Sequence, residues 1–185
     1  MASASLSGVH RDLVREALAP SPASAPSRAD FFLHDSGYSF EGSVIFLDVD
    51  GVLHPLGGAV TFAEPSMAEL ARIHKVTGAA LVLSSTWRES DAMLGVVNQQ
   101  LAAVGVPPCV SKTVSLLSID GSRSAEIAQW LDNHPKVTRY VAIDDMDLLD
   151  GQRADKIEGH FVHTRSELGL TPPLADLAIR ILTGA

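Results

Sequence analysis

Two carboxylates one residue apart, Asp48 and Asp50, stand directly after the apolar run Val44-Ile45-Phe46-Leu47 and directly before Gly51. Like charges this close repel unless a cation sits between them. Oxygen-only ligands suit a hard ion such as Mg²⁺, and Gly51 lets the backbone turn sharply beside them. The pattern of an apolar run ending in polar residues recurs twice. Ala79 to Leu83 ends in Ser84-Ser85-Thr86-Trp87-Arg88, and Val137 to Ile143 ends in Asp144-Asp145-Met146-Asp147. Gathering Asp48, Asp50, Asp144 and Asp145 at one place is strongly unfavourable without a metal. Arg123 is a cation able to join them.

The elements that must position these residues follow from periodicity. Val44 to Leu47 is too short for a helix and reads as a strand buried on both faces. Glu64-Pro65 opens a helix with proline in its first turn; Met67, Leu70, Ala71 and Ile73 are its apolar face, and Gly78 closes it. Ala79 to Leu83 is a second strand, Glu89 to Val104 a second helix, and Cys109 to Val114 a third strand. Ser122 or Ser124 caps a third helix through Ile127, Trp130 and Leu131. Val137 to Ile143 is a fourth strand and His160 to Thr164 a fifth. Pro172 or Pro173 starts a last helix, with Leu174, Leu177, Ala178, Ile181 and Leu182 turned inward. Strands alternating with helices predict an α/β fold: a Rossmann-like parallel sheet of about five strands, helices on both faces and right-handed crossovers. In such a sheet ligands bind outside the carboxyl ends of the strands, where all three polar clusters fall.

Residues 1–42 differ from the remainder. Val9, Leu13, Val14 and Leu18 predict a short amphipathic helix over residues 8–19, and Pro20 to Ser27 reads as a Pro/Ala/Ser linker. Phe31, Phe32, Leu33, Tyr38 and Phe40 form an aromatic group before the first strand. The expected division is therefore an extension, 1–42, and an α/β domain, 43–185, that carries all three polar clusters. A chain of 185 residues with 46% hydrophobic and 19% charged residues is sized and composed like one globular domain with an appendage. The single Cys109 allows no internal disulfide and fits a reducing, cytoplasmic setting; as a small residue among apolar neighbours it reads as core. A net charge of −8 argues against non-specific nucleic-acid binding. No apolar run approaches the ~20 residues of a membrane span. The N-terminus lacks the apolar core of a signal peptide, and Asp12 and Glu16 speak against a transit peptide.

Phe46-Leu47-Asp48-Val49-Asp50-Gly51-Val52-Leu53 resembles the first motif of the haloacid dehalogenase (HAD) superfamily of phosphatases. Leu83-Ser84 resembles the second motif, Arg123 the third and Ile143-Asp144-Asp145 the fourth, over about residues 43–183. The family more often has Lys at the third, so Lys112 and Lys136 stand as alternatives to Arg123. Ser84-Ser85-Thr86-Trp87-Arg88 with Gly169-Leu170-Thr171 is similar to small HAD domains of RNA-repair proteins. The resemblance implies a Mg²⁺-dependent phosphomonoester hydrolase. Asp48 would form an aspartyl-phosphate, and Asp50 would protonate the leaving oxygen and then activate water. It implies that Mg²⁺ is held by the Asp48 carboxylate, the Asp50 backbone carbonyl and Asp144, with Asp145 on a metal-bound water. Ser84 and Arg123 would hold the phosphoryl group, with Ser85, Arg88 and Gly51 as further substrate contacts.

The spacings between these motifs leave no room for a large cap domain, and an uncapped site admits a bulky phosphate, such as an RNA or DNA end. Residues 54–62 are long enough for a small flap. Trp87 either stacks a base or packs beneath the rim; Arg88 either reaches a phosphate or pairs with an acid. His54 either touches substrate or orders its loop. His160 and His163, three apart on a strand, point to opposite faces and make a poor metal pair. Asp147 belongs to an acidic loop and is a candidate support for the metal shell. Two other readings stand beside the phosphatase: a catalytically weak binding or regulatory module, and a phosphotransferase with an acceptor other than water. The sequence leaves the oligomeric state open.

Overall fold

The computed structural model describes residues 40–56, 62–115 and 122–185. The expected helix over 8–19 and the linker after it lie outside the described residues, as do most of the aromatic group before the first strand; of these aromatics Phe40 packs against the core.

Five strands form one parallel sheet: β1 (Gly42–Leu47), β2 (Ala80–Leu83), β3 (Ser111–Lys112), β4 (Val137–Asp144) and β5 (Phe161–His163). Their order is β3-β2-β1-β4-β5. β1 is central, which explains why Val44, Ile45, Phe46 and Leu47 are all fully buried. Its alternation divides the core in two. Ile45 and Leu47 face one layer, built from α1 (Glu64–Thr77), α2 (Asp91–Ala103) and α4 (Pro172–Thr183). Val44 and Phe46 face the other, with Ile127 and Trp130 of α3 (Arg123–Asn133) and with Leu148 and Ile157 from the segment after β4. The edge of Trp130 meets the Phe46 ring at 5.3 Å, a favourable aromatic geometry.

The α/β architecture expected from the alternation is thus present, helices cover both faces, and no large cap is inserted. The stretches 57–61 and 116–121, which lie outside the described residues, are too short to form one. The element ends differ in detail. The expected helix from Glu89 is interrupted: Thr86–Glu89 forms a 3-10 turn, and Ser90 then caps α2 by accepting from the Met93 N–H. The third strand shrinks to two residues because β3 is an edge strand paired only through Val82–Ser111 and Leu83–Lys112. Ser122, not Ser124, caps α3, accepting from the Ala125 N–H.

Chain order places the crevice. From β1 the chain runs to β2 and β3 on one side, then crosses to β4 and β5 on the other. The reversal falls between β1 and β4, the position where doubly wound sheets open a ligand crevice at their carboxyl edge. Leu47 pairs with Leu83 on one side and Ile143 on the other, so Asp48, Ser84 and Asp144 reach the same rim.

Candidate active site

The rim is assembled by the sheet ladder itself. Past β1, the Asp48 N–H donates to the Ile143 carbonyl (3.1 Å), and the Ser84 N–H donates to the Leu47 carbonyl (3.0 Å). The Asp48 residue is held at 3% exposure and Asp144 at 1%. One carboxylate oxygen each from Asp48, Asp144 and Asp145 lies within 4.8 Å of the others.

Arg123, at the first turn of α3, spans two of these acids. Its Nη1 lies 2.7 Å from Asp144 Oδ2 and 3.0 Å from Asp48 Oδ2. Burial opposes the Arg123 charge, but the two carboxylates outweigh it and stabilise the cation. The carboxylates fare differently. Burial pushes Asp48 upward despite Arg123 and a hydrogen bond from Ser85. Burial also raises Asp144, to about 6, with the Asp48 charge adding and Arg123 opposing. One guanidinium shared by two buried carboxylates cannot neutralise both, so the rim retains a deficit of positive charge. A trio of oxygen donors in that state fits a hard divalent ion.

Of the alternatives to Arg123, Lys136 precedes β4 at the opposite end of the sheet and is exposed. Lys112 is on the correct edge, but its Nζ donates to the Arg88 carbonyl (2.9 Å).

Asp50 departs from the other acids. Its carboxylate is outside the trio and 41% exposed. Oδ1 lies 2.8 Å from His54 Nδ1, and Oδ2 accepts from Trp87 Nε1 at 2.8 Å. Trp87 packs on the core and meets Phe62 edge-on at 5.6 Å. The sequence allows stacking or packing for Trp87 and gives no sign of its bond to Asp50, whose partner lies 37 residues away.

Gly51 turns the chain with φ of 73°, and its carbonyl accepts from the buried Thr164 hydroxyl (2.8 Å). Thr164 has no sequence signal beyond lying at the end of a strand. Ser84 is buried, and among the described residues its hydroxyl has no hydrogen-bond partner. Ser85 also caps the 3-10 turn.

Of the two readings of Arg88, contact with substrate and pairing with an acid, the second matches its position, because the side chain is turned inward. It is 5% exposed, and its guanidinium donates to the Ser84 carbonyl (2.9 Å) and to Glu126 Oε2 (2.8 Å). The physical reason is Glu126, a buried acid on α3 that requires a cation. Asp147 accepts from the Leu149 N–H (3.0 Å), capping a 3-10 turn rather than joining the trio. His160 bonds the Tyr140 carbonyl, while His163 bonds the Asp145 carbonyl. The two histidines serve separate places, as their spacing requires.

A family model described as "HAD domain in Swiss Army Knife RNA repair proteins" matches residues 44–175. No curated protein and no solved structure matches the chain. The match begins within β1 and runs into α4, so it includes every residue of the rim. Among the described residues no helix is long and apolar enough to cross a membrane.

Proposed function

Because the chain belongs to the family of HAD domains in Swiss Army Knife RNA repair proteins, we propose that it is a Mg²⁺-dependent phosphomonoester hydrolase that acts through an aspartyl-phosphate on Asp48. The observation that carries this reading is the trio of Asp48, Asp144 and Asp145, two of which, Asp48 and Asp144, share Arg123, at a strand rim that also holds Ser84.

In the first step a carboxylate oxygen of Asp48 bonds to phosphorus as the ester P–O bond breaks, and Asp50 gives its proton to the leaving oxygen. In the second, Asp50 takes a proton from water, the water oxygen bonds to phosphorus, and the acyl-phosphate bond opens to free phosphate and Asp48. Arg123 and the Ser84 hydroxyl are donors toward the transferring phosphoryl oxygens. Asp48, Asp144 and Asp145 would hold Mg²⁺, together with the Asp50 backbone carbonyl, and the ion would supply positive charge where the phosphoryl group gains negative charge. Ser85 orients the Asp48 carboxylate through its hydrogen bond, and Gly51 lets Asp145 approach.

The proposed substrate is a terminal phosphate on RNA or DNA. The absence of a large cap leaves the rim open to a polymer end, and the family's name concerns RNA repair. The rim is acidic and Arg88 is buried, which favours recognition of one end phosphate over binding along a strand, in keeping with a net charge of −8. A cytoplasmic setting suits both the substrate and the single free thiol.

Phosphate release from an aryl phosphate, then from 3′- and 5′-phosphorylated oligonucleotides, with and without Mg²⁺, tests the reading. Asp48→Asn is expected to lower turnover by at least ~10³-fold, with the unfolding transition retained. Activity equal to wild type in Asp48→Asn would refute the nucleophile. Product analysis with an added alcohol distinguishes hydrolysis from transfer to another acceptor.

A further inference from the structure

Asp50 follows Asp48 by two residues, yet its carboxylate is held away from the trio by anchors on both oxygens. An indole N–H can only donate, so Trp87 fixes Oδ2 as an acceptor. Each anchor is itself immobilised. His54 lies in the turn after β1, where its carbonyl accepts from the Gly51 N–H (2.8 Å) and its own N–H donates to the Val49 carbonyl (2.9 Å). Trp87 stands on the 3-10 turn after β2, braced by Phe62. A carboxylate with this much exposure can be hydrated by water and does not need two protein partners for solvation. The clamp instead restricts its rotamers, which matters where a proton must be delivered in one direction.

We propose that His54 and Trp87 are positioning residues that keep the Asp50 carboxylate out of the Asp48/Asp144/Asp145 cluster and aim it at the leaving oxygen. The inference rests on the reading of Asp50 as the group that transfers the proton. It separates two uses of carboxylates on one rim: three gathered for a cation and the nucleophile, one reserved for proton transfer. The step affected is the departure of the ester oxygen, in which the P–O bond breaks and the Asp50 proton moves to that oxygen. An alkoxide needs this proton, whereas a dinitrophenolate departs with little help.

Two measurements on the full chain test the clamp. The first uses metal-free protein and follows exchange of the two indole N–H groups by NMR. Trp130 serves as internal reference, because its Nε1 donates to the Ser111 hydroxyl (2.9 Å) far from Asp50 in sequence and on the other core face. Asp50→Ala is expected to speed exchange at Trp87 about tenfold and leave Trp130 unchanged; equal exchange at Trp87 before and after would overturn the clamp. The second compares single-turnover cleavage of 2,4-dinitrophenyl phosphate with that of a 3′-phosphorylated oligonucleotide. In Trp87→Phe and His54→Ala the oligonucleotide rate is expected to fall at least tenfold more than the dinitrophenyl rate. His54→Asn, which restores a hydrogen-bonding group near the Nδ1 position, should recover most of the loss. Equal falls on both esters, or none, would refute positioning while leaving the hydrolase intact. Absence of Mg²⁺-dependent dinitrophenolate release from wild type would remove the parent reading, and this inference with it, whatever the exchange data show.

Discussion

At residue scale, Gly51 shows how tightly the rim is built. Its φ of 73° disfavours any residue with a β-carbon. A β-carbon placed there would run into Asp145 Cγ and lie 2.7 Å from Asp145 Cβ. Asp145 cannot simply rotate away, because a contact with its Cβ constrains the backbone, and His163 holds the Asp145 carbonyl at 2.9 Å. Gly51→Ala is therefore expected to displace Asp145 from the trio and to cost about 1–2 kcal/mol in backbone strain. Calorimetric titration should show Mg²⁺ affinity at least tenfold weaker; unchanged affinity would mean Asp145 contributes nothing to the ion. The need for glycine is legible in the sequence as a turn after two acids. The second reason, the approach of Asp145, is not, because it arises from the register of β1 with β4 and not from neighbours in the chain.

At the scale of elements, the same distinction holds. Helix ends that depend on local chemistry are readable: Gly78 closes α1 in the left-handed conformation, and Pro172 opens α4. The length of β3 is not, since a Cys-Val-Ser-Lys-Thr-Val run has strand-forming residues but only a two-residue pairing partner. Which acid pairs with Arg88 is hidden for a similar reason: Glu126 lies on a different element. Their ion pair ties the 3-10 turn after β2 to α3, with side chains 5% and 7% exposed. Removing one member of such a pair leaves a buried charge. Arg88→Ala is expected to destabilise the fold by about 3–5 kcal/mol, measured by urea unfolding. The double variant Arg88→Met, Glu126→Leu should recover at least half of that loss. A phosphate-binding Arg88 gives the opposite pattern: the single variant would keep its stability and lose substrate affinity.

At the scale of the whole molecule, the fold concentrates electrostatic cost where its sheet opens. The hydrophobic layers on both faces of β1 hold the strand ends in place, and that rigidity keeps the acids together against their repulsion. Asp144 is the measurable case. Its carboxyl is raised from 3.8 to about 6, by burial first and then by Asp48 against the pull of Arg123. A carboxyl whose pKa is higher folded than unfolded favours the folded state when protonated. Its contribution is therefore fully present below about pH 4 and lost as pH rises through about 6. At pH 7.5 the ionised Asp144 opposes folding by on the order of 2–3 kcal/mol, at ~1.4 kcal/mol for each tenfold change in its ionisation constant. Asp144→Asn removes that charge and keeps an oxygen for the Met146 N–H, which Asp144 Oδ1 accepts at 2.9 Å. The metal-free variant is thus expected to be more stable than wild type at pH 7.5, by on the order of 2 kcal/mol, a balance that already contains the ion pair of Asp144 with Arg123. It should also lack much of the decline between pH 4 and 6. Adding Mg²⁺ should reverse the order, because an ion that binds only the folded state stabilises by RT ln(1 + [L]/Kd) and the variant lacks one of the three carboxylates proposed to hold it. Thermal unfolding at pH 5 and 7.5, with and without about 10 mM Mg²⁺ (about 100-fold above a Kd on the order of 0.1 mM, a gain of ~2.7 kcal/mol), resolves these terms. If wild type gains no stability from Mg²⁺ at pH 7.5, the cluster is offset by Arg123 alone and the metal assignment fails.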